Sequence, residues 1–164
     1  MIRKILFAIT LGIALQAFAA DQGTSKLTFA NAGPREVEDT TQQAVARDYA
    51  AAWKSFSQAL EQNRADLLNA NFVGVAREKI GQVIADQQKN GLRSRYIDRG
   101  HNAQVIFYSV DGSSMQIRDT AQFEIQLLDG EKVVSSETAT INYVALLTPS
   151  ENSWRVRVLE AVPQ

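Results

Sequence analysis

Arg3 and Lys4 precede an apolar run over residues 5–15, and Ala17-Phe18-Ala19 follows with the small-x-small pattern that a signal peptidase accepts. This order predicts a cleavable signal peptide over residues 1–19. The apolar stretch 5–20 holds only 16 residues and includes Thr10 and Gln16, short of the roughly 20 that cross a bilayer. No transmembrane segment is expected after cleavage, and the chain reads as periplasmic or secreted. Residues 20–33 scatter Gly, Ser, Thr, Asn and Lys around isolated Leu27 and Phe29 and read as a flexible leader. A single domain over 34–164 follows. Pro34 suits a first helical turn, and Glu36, Glu38 and Asp39 place negative charge where the helix dipole favours it. Val45, Tyr49, Ala52, Trp53, Phe56, Ala59 and Leu60 then recur at steps of three and four, which predicts a long helix with one apolar face.

Residues 65–71 suit a short helical piece, and Val73, Ala76, Ile80, Val83, Ile84 and Gln87 mark a second amphipathic helix that Gly91 caps. Beyond it the period drops to two. Residues 95–100 and 103–110 read as two short strands, and Asp111-Gly112-Ser113 as a turn. Residues 114–128 and 132–148 are long strands with apolar side chains on odd positions and polar ones on most even positions, the pattern of an antiparallel sheet with one wet face. Between them, a three-residue loop ending in left-handed Gly130 keeps the two apolar rows together, whereas a plain two-residue hairpin sets one against a polar row. Trp154, Val156 and Val158 alternate with Arg155 and Arg157 in a last strand.

A long first helix, a second helix ending at Gln88-Lys89-Asn90-Gly91, and a strand meander closing on Trp154-Arg155-Val156-Arg157-Val158 resemble the nuclear-transport-factor-2-like superfamily over residues 36–162. The resemblance implies an α+β, cystatin-like cone with N-terminal helices packed on a curved antiparallel sheet. The run from Gln88 through Tyr96, the strand Asn102-Ala103-Gln104-Val105 and Trp154 are similar to non-catalytic envelope and organelle members, among them the domain of chloroplast-division proteins that faces the intermembrane space. The superfamily also contains polyketide cyclases, ketosteroid-type isomerases and dehydratases. Its usual pocket, between the first helix and the concave sheet face, implies that Tyr49, Trp53, Phe56, Asp119, Phe123, Glu137 and Tyr143 come together, and that two copies pair through the sheet.

Composition narrows the chemistry. The 164 residues are 45% hydrophobic and 21% charged, with no cysteine and one histidine. That removes disulfides, thiol nucleophiles, lipidation, thiolate metal sites and any site needing two imidazoles. No metal or other cofactor is implied. Without residues 1–19 there remain 15 basic and 18 acidic groups, a net charge of −3, which disfavours nucleic acid as a partner.

Asp119 and Glu137 each interrupt an apolar row, and a carboxylate on such a row is costly unless paired. With Leu127 opposite Glu131 the two become diagonal neighbours, a candidate acid/base pair. The alternative is a bulge that turns one of them to solvent, or a bond to a cation such as Arg118. His101 is the third candidate. Asp98 invites a dyad with it, but an odd offset separates them across a regular strand. Tyr49 and Tyr143 are candidate oxyanion donors or ordinary core tyrosines. Lys89, Arg93, Arg95 and Arg99 form a basic edge around Tyr96, either a solvated face or a seat for an acidic partner or anionic headgroup. Two functions follow: an exported, non-catalytic binding or assembly module of the cell envelope holding a small apolar molecule or a protein partner, or a lyase or isomerase with Asp119 as base.

Overall fold

The apolar stripe of the first helical segment forms α1, Asp39–Gln62, and buries Val45, Tyr49, Ala52, Trp53, Phe56, Ala59 and Leu60. The computed structural model describes residues 24–30 and 32–163; the expected signal peptide, residues 1–19, lies outside them. Helix α1 begins later than Pro34. The Tyr108 N–H donates to the Gly33 carbonyl at 2.8 Å, so Pro34 sits in a bridge to the sheet rather than in the first turn. The helix ends at Asn63, whose left-handed φ of 52° lets its N–H reach the Ala59 carbonyl. A short 3-10 turn at Ala65–Leu68 leads into α2, Gly74–Asn90. Gly91 caps α2 at φ 68°, a conformation that costs glycine nothing and other residues about 1 kcal/mol.

Five strands make one curved sheet: β1, Thr24–Thr28; β2, Leu92–Tyr108; β3, Met115–Asp129; β4, Lys132–Pro149; and β5, Trp154–Val162. They lie in sequence order, antiparallel except for β1, which runs parallel to β2. The two helices pack on one face of the sheet, and the architecture is α+β, as the pattern predicts. On β3 the odd residues Met115, Ile117, Asp119, Ala121 and Phe123 are buried. Each apolar side chain removed from water in this way contributes about 1.5–3 kcal/mol if large. Asp48 ties helix to sheet: its Oδ2 accepts the Trp154 N–H at 2.7 Å, at the start of β5.

Three expectations change. The segment expected to be a flexible leader contains β1, and its Leu27 and Phe29 pack against the core, so the folded unit starts before residue 34. A five-residue strand is too short to display a period, which is why it was illegible. Second, the two short strands at 95–110 are one, β2, interrupted by bulges between Asp98 and Gly100 and between Val105 and Phe107. Third, the β3–β4 turn pairs Asp129 with Lys132 across two residues, and a bulge between Leu127 and Leu128 then shifts the pairing. The apolar rows still meet, as hydrophobic burial demands, but by a tight turn plus a bulge instead of a three-residue loop.

Candidate functional site

Asp119 is fully buried on β3, between Ala103 of β2 and Tyr143 of β4. A carboxylate survives there only with partners. The Tyr49 hydroxyl, brought across by α1, donates to Asp119 Oδ2 at 2.8 Å, and His101 Nδ1 lies 2.8 Å from the same oxygen. With the imidazole proton on Nδ1, one ionised oxygen accepts both bonds and leaves Nε2 facing away from Asp119. The other side of the ring meets Asp98, whose Oδ2 is 3.5 Å from Nε2.

That second contact depends on the backbone. Asp98 and His101 are three residues apart and belong on opposite faces of a regular strand. The bulge at Gly100, with φ 148°, changes the phase and puts them on one side. Asp98 Oδ1 accepts the Gly100 N–H at 2.8 Å and holds the bulge closed. His101 is therefore set between two carboxylates, with the rings of Trp53 and Phe123 at 4.8 and 5.5 Å. Burial, and then the charge of Asp119, push the Tyr49 hydroxyl well above the ordinary tyrosine range, so it stays a donor. Tyr143 is raised too, by burial first and then by Tyr96 and Asp119. Two polar atoms here, Asp119 Oδ1 and His101 Nε2, are buried without a hydrogen-bond partner among the described residues.

Above the cluster lies a cleft of about 810 Å³ between α1, β1 and β2. Tyr49, Trp53, Tyr96, Phe123 and Leu27 give it apolar walls; His101 and Asp98 reach it from β2, and Lys26 and Lys54 from β1 and α1.

The pocket expected from the resemblance is only partly this one. Tyr49, Trp53 and Phe123 line the cleft. Phe56 and Tyr143 are buried behind Trp53, their rings 5.4 and 5.1 Å from it, and do not line the cleft. Glu137 is elsewhere: it pairs with Ile125, while Asp119 pairs with Tyr143, and it is exposed. The acid/base pair drawn between them needs Leu127 opposite Glu131, whereas the two-residue turn and the bulge together set Leu127 opposite Ser135. His101 is the partner of Asp119 instead. The basic edge is largely neutralised, since Arg93 pairs with Glu131 at 3.0 Å, Arg95 with Glu61 at 2.7 Å and Arg99 with Glu124 at 2.5 Å. Of the four expected cations only Lys89 has no ion pair among the described residues. Among those residues no cluster of three or more His, Asp or Glu has metal-site geometry. No described helix is long and apolar enough to cross a membrane.

This architecture is the nuclear-transport-factor-2-like, cystatin-like fold. The intermembrane-space region of the chloroplast protein ARC6 matches 80% of this chain and 100% of its own length, with a TM-score of 0.64 and 16% identity. A Streptomyces avermitilis protein described as a dehydratase of the NTF2-like family matches 74% of this chain and 98% of its own, at TM-score 0.52 and 12% identity. A Novosphingobium aromaticivorans protein assigned as a scytalone dehydratase follows, at TM-score 0.50 and 12% identity over 77% of this chain and 89% of its own. No family model matches the sequence, and no curated protein matches it significantly. At these identities the likeness is one of fold.

Proposed function

We propose that the protein is an exported, non-catalytic binding module that holds a small, mostly apolar molecule in the cleft between α1, β1 and β2. One observation carries this reading: an aromatic-walled cavity of about 810 Å³ stands over a polar cluster whose carboxylate is already occupied by Tyr49 and His101. Such a volume falls within the roughly 300–1,000 Å³ usual for small-molecule sites. The buried Asp119 braces Tyr49 and His101 under the cavity. The signal-peptide pattern of residues 1–19 supports export, and pairing of two copies through the sheet belongs to the same reading.

The second reading is a lyase or isomerase, and the observation in its favour is His101 itself, oriented by Asp119 with Nε2 towards Asp98 at the cleft. Its base is the imidazole, steered by the carboxylate, rather than Asp119 directly. Related folds carry both kinds of function, so the site has to decide.

Native mass spectrometry of the chain purified from its own compartment tests the proposal. A mature species carrying a defined extra mass, lost on denaturation, is the expected result. A mature species that is bare, and stays bare when a library of apolar molecules is added, overturns it. Turnover of a bound molecule that His101→Gln abolishes without loss of binding establishes the second reading in its place.

A further inference from the structure

We propose that the ligand of the cleft is an apolar molecule bearing a carboxylate, whose charge is met by Lys26 and Lys54. This rests on the reading of the cleft as a ligand site. Both lysines are exposed, both line the cleft, and they come from different elements, β1 and α1. Neither forms an ion pair among the described residues, so both charges are free to meet a ligand at the cleft. The one acidic side chain of the cleft, Asp98, accepts the Gly100 N–H, and among the described residues no ion pair joins it to either lysine. Two uncompensated positive charges therefore stand beside walls of Tyr49, Trp53, Tyr96 and Phe123.

The rest of the molecule offers an anion little attraction. The net charge is negative, so preference for an acid has to be set locally by these two ammonium groups. Neither an arginine fork nor a helix N-terminus lines the cleft, the devices that favour phosphate, and two lysine point charges suit a single carboxylate. The size of the cavity leaves room for a fused-ring or long-chain hydrocarbon body behind that head.

Fluorescence titration of the mature chain with pyrenebutyrate, and with pyrenebutanol as its neutral counterpart, separates charge from apolar binding. At low salt the acid is expected to bind at least about tenfold more tightly than the alcohol. The Lys26→Gln/Lys54→Gln double variant abolishes that preference and leaves the alcohol unchanged, and added salt weakens the acid alone. Ala50→Trp, at an exposed position of α1 that lines the cleft, removes binding of both probes while the helical circular dichroism is retained. Equal affinities for acid and alcohol, or a preference that survives in the double variant, overturn the lysine assignment and leave the cleft as an apolar site. Binding that survives Ala50→Trp places the probes elsewhere and overturns it as well. Failure of both probes to bind removes the cleft reading along with it.

Discussion

Two hydrogen bonds converge on Asp119 Oδ2, from Tyr49 and from His101, and they are what allows a carboxylate at a fully buried position of β3. Asp119→Ala leaves both partners buried and unsatisfied, and is expected to cost about 3 kcal/mol or more in urea unfolding. Tyr49→Phe removes one bond and costs about 1 kcal/mol. Glu137→Ala, at an exposed site, leaves the unfolding midpoint unchanged. Equal effects of Asp119→Ala and Glu137→Ala contradict the separation of these residues. Alkali supplies an independent test. Burial raises the hydroxyl pKa values of Tyr49, Tyr96 and Tyr143 above the ordinary tyrosine value of about 10. Their protonated forms are favoured by the fold, so the unfolded chain loses protons first and stability falls as pH rises above that value. Tyrosinate absorbance and circular dichroism should therefore change together, and Tyr49→Phe should lessen the slope. Absorbance that rises fully before the fold is lost contradicts the burial. Asp119 was legible as an anomaly on an apolar row. Its partner was not, because a hydrogen bond between residues of different strands depends on register.

Bulges are the elements that make the site. Gly100 breaks the phase of β2 and sets Asp98 and His101 on one side. Gly100→Ala forces a side chain into a positive-φ conformation, expected to cost about 1–3 kcal/mol and to shift the His101 ring resonances as the imidazole moves from Asp98. A proton NMR spectrum with unchanged histidine resonances in a stable variant contradicts the role given to the bulge. β1 is the other decisive element, since Leu27 and Lys26 form a wall of the cleft. A chain truncated before Ala30 is expected to keep its helical signal and lose affinity for pyrenebutyrate. Retained affinity shows that β1 is dispensable to the site. Helices α1 and α2 were legible because seventeen or more residues repeat the same spacing several times over. The bulges were not, because a single inserted residue leaves the alternation on either side intact.

For the molecule as a whole, removal of residues 1–19 and the number of subunits are read in one mass spectrum. The expected chain begins at Ala20, and a dimer has twice that mass; an uncleaved chain or a monomer contradicts export processing or sheet pairing respectively. The sequence by itself determined the helices, the long antiparallel strands and which face of each is buried, because periods of 3.6 and two residues are local and the hydrophobic effect acts on them wherever the chain runs. It also singled out Asp119, Glu137, His101, Tyr49 and Tyr143 as candidate site residues. Tertiary structure decided the rest. It joined Asp119 to His101 rather than to Glu137, neutralised three arginines of the basic edge, moved Phe56 and Tyr143 behind Trp53, and brought β1 across to complete the cleft. Each of these is a contact between segments far apart in the chain, and one residue of slip in a strand changes every such contact while leaving the sequence pattern untouched.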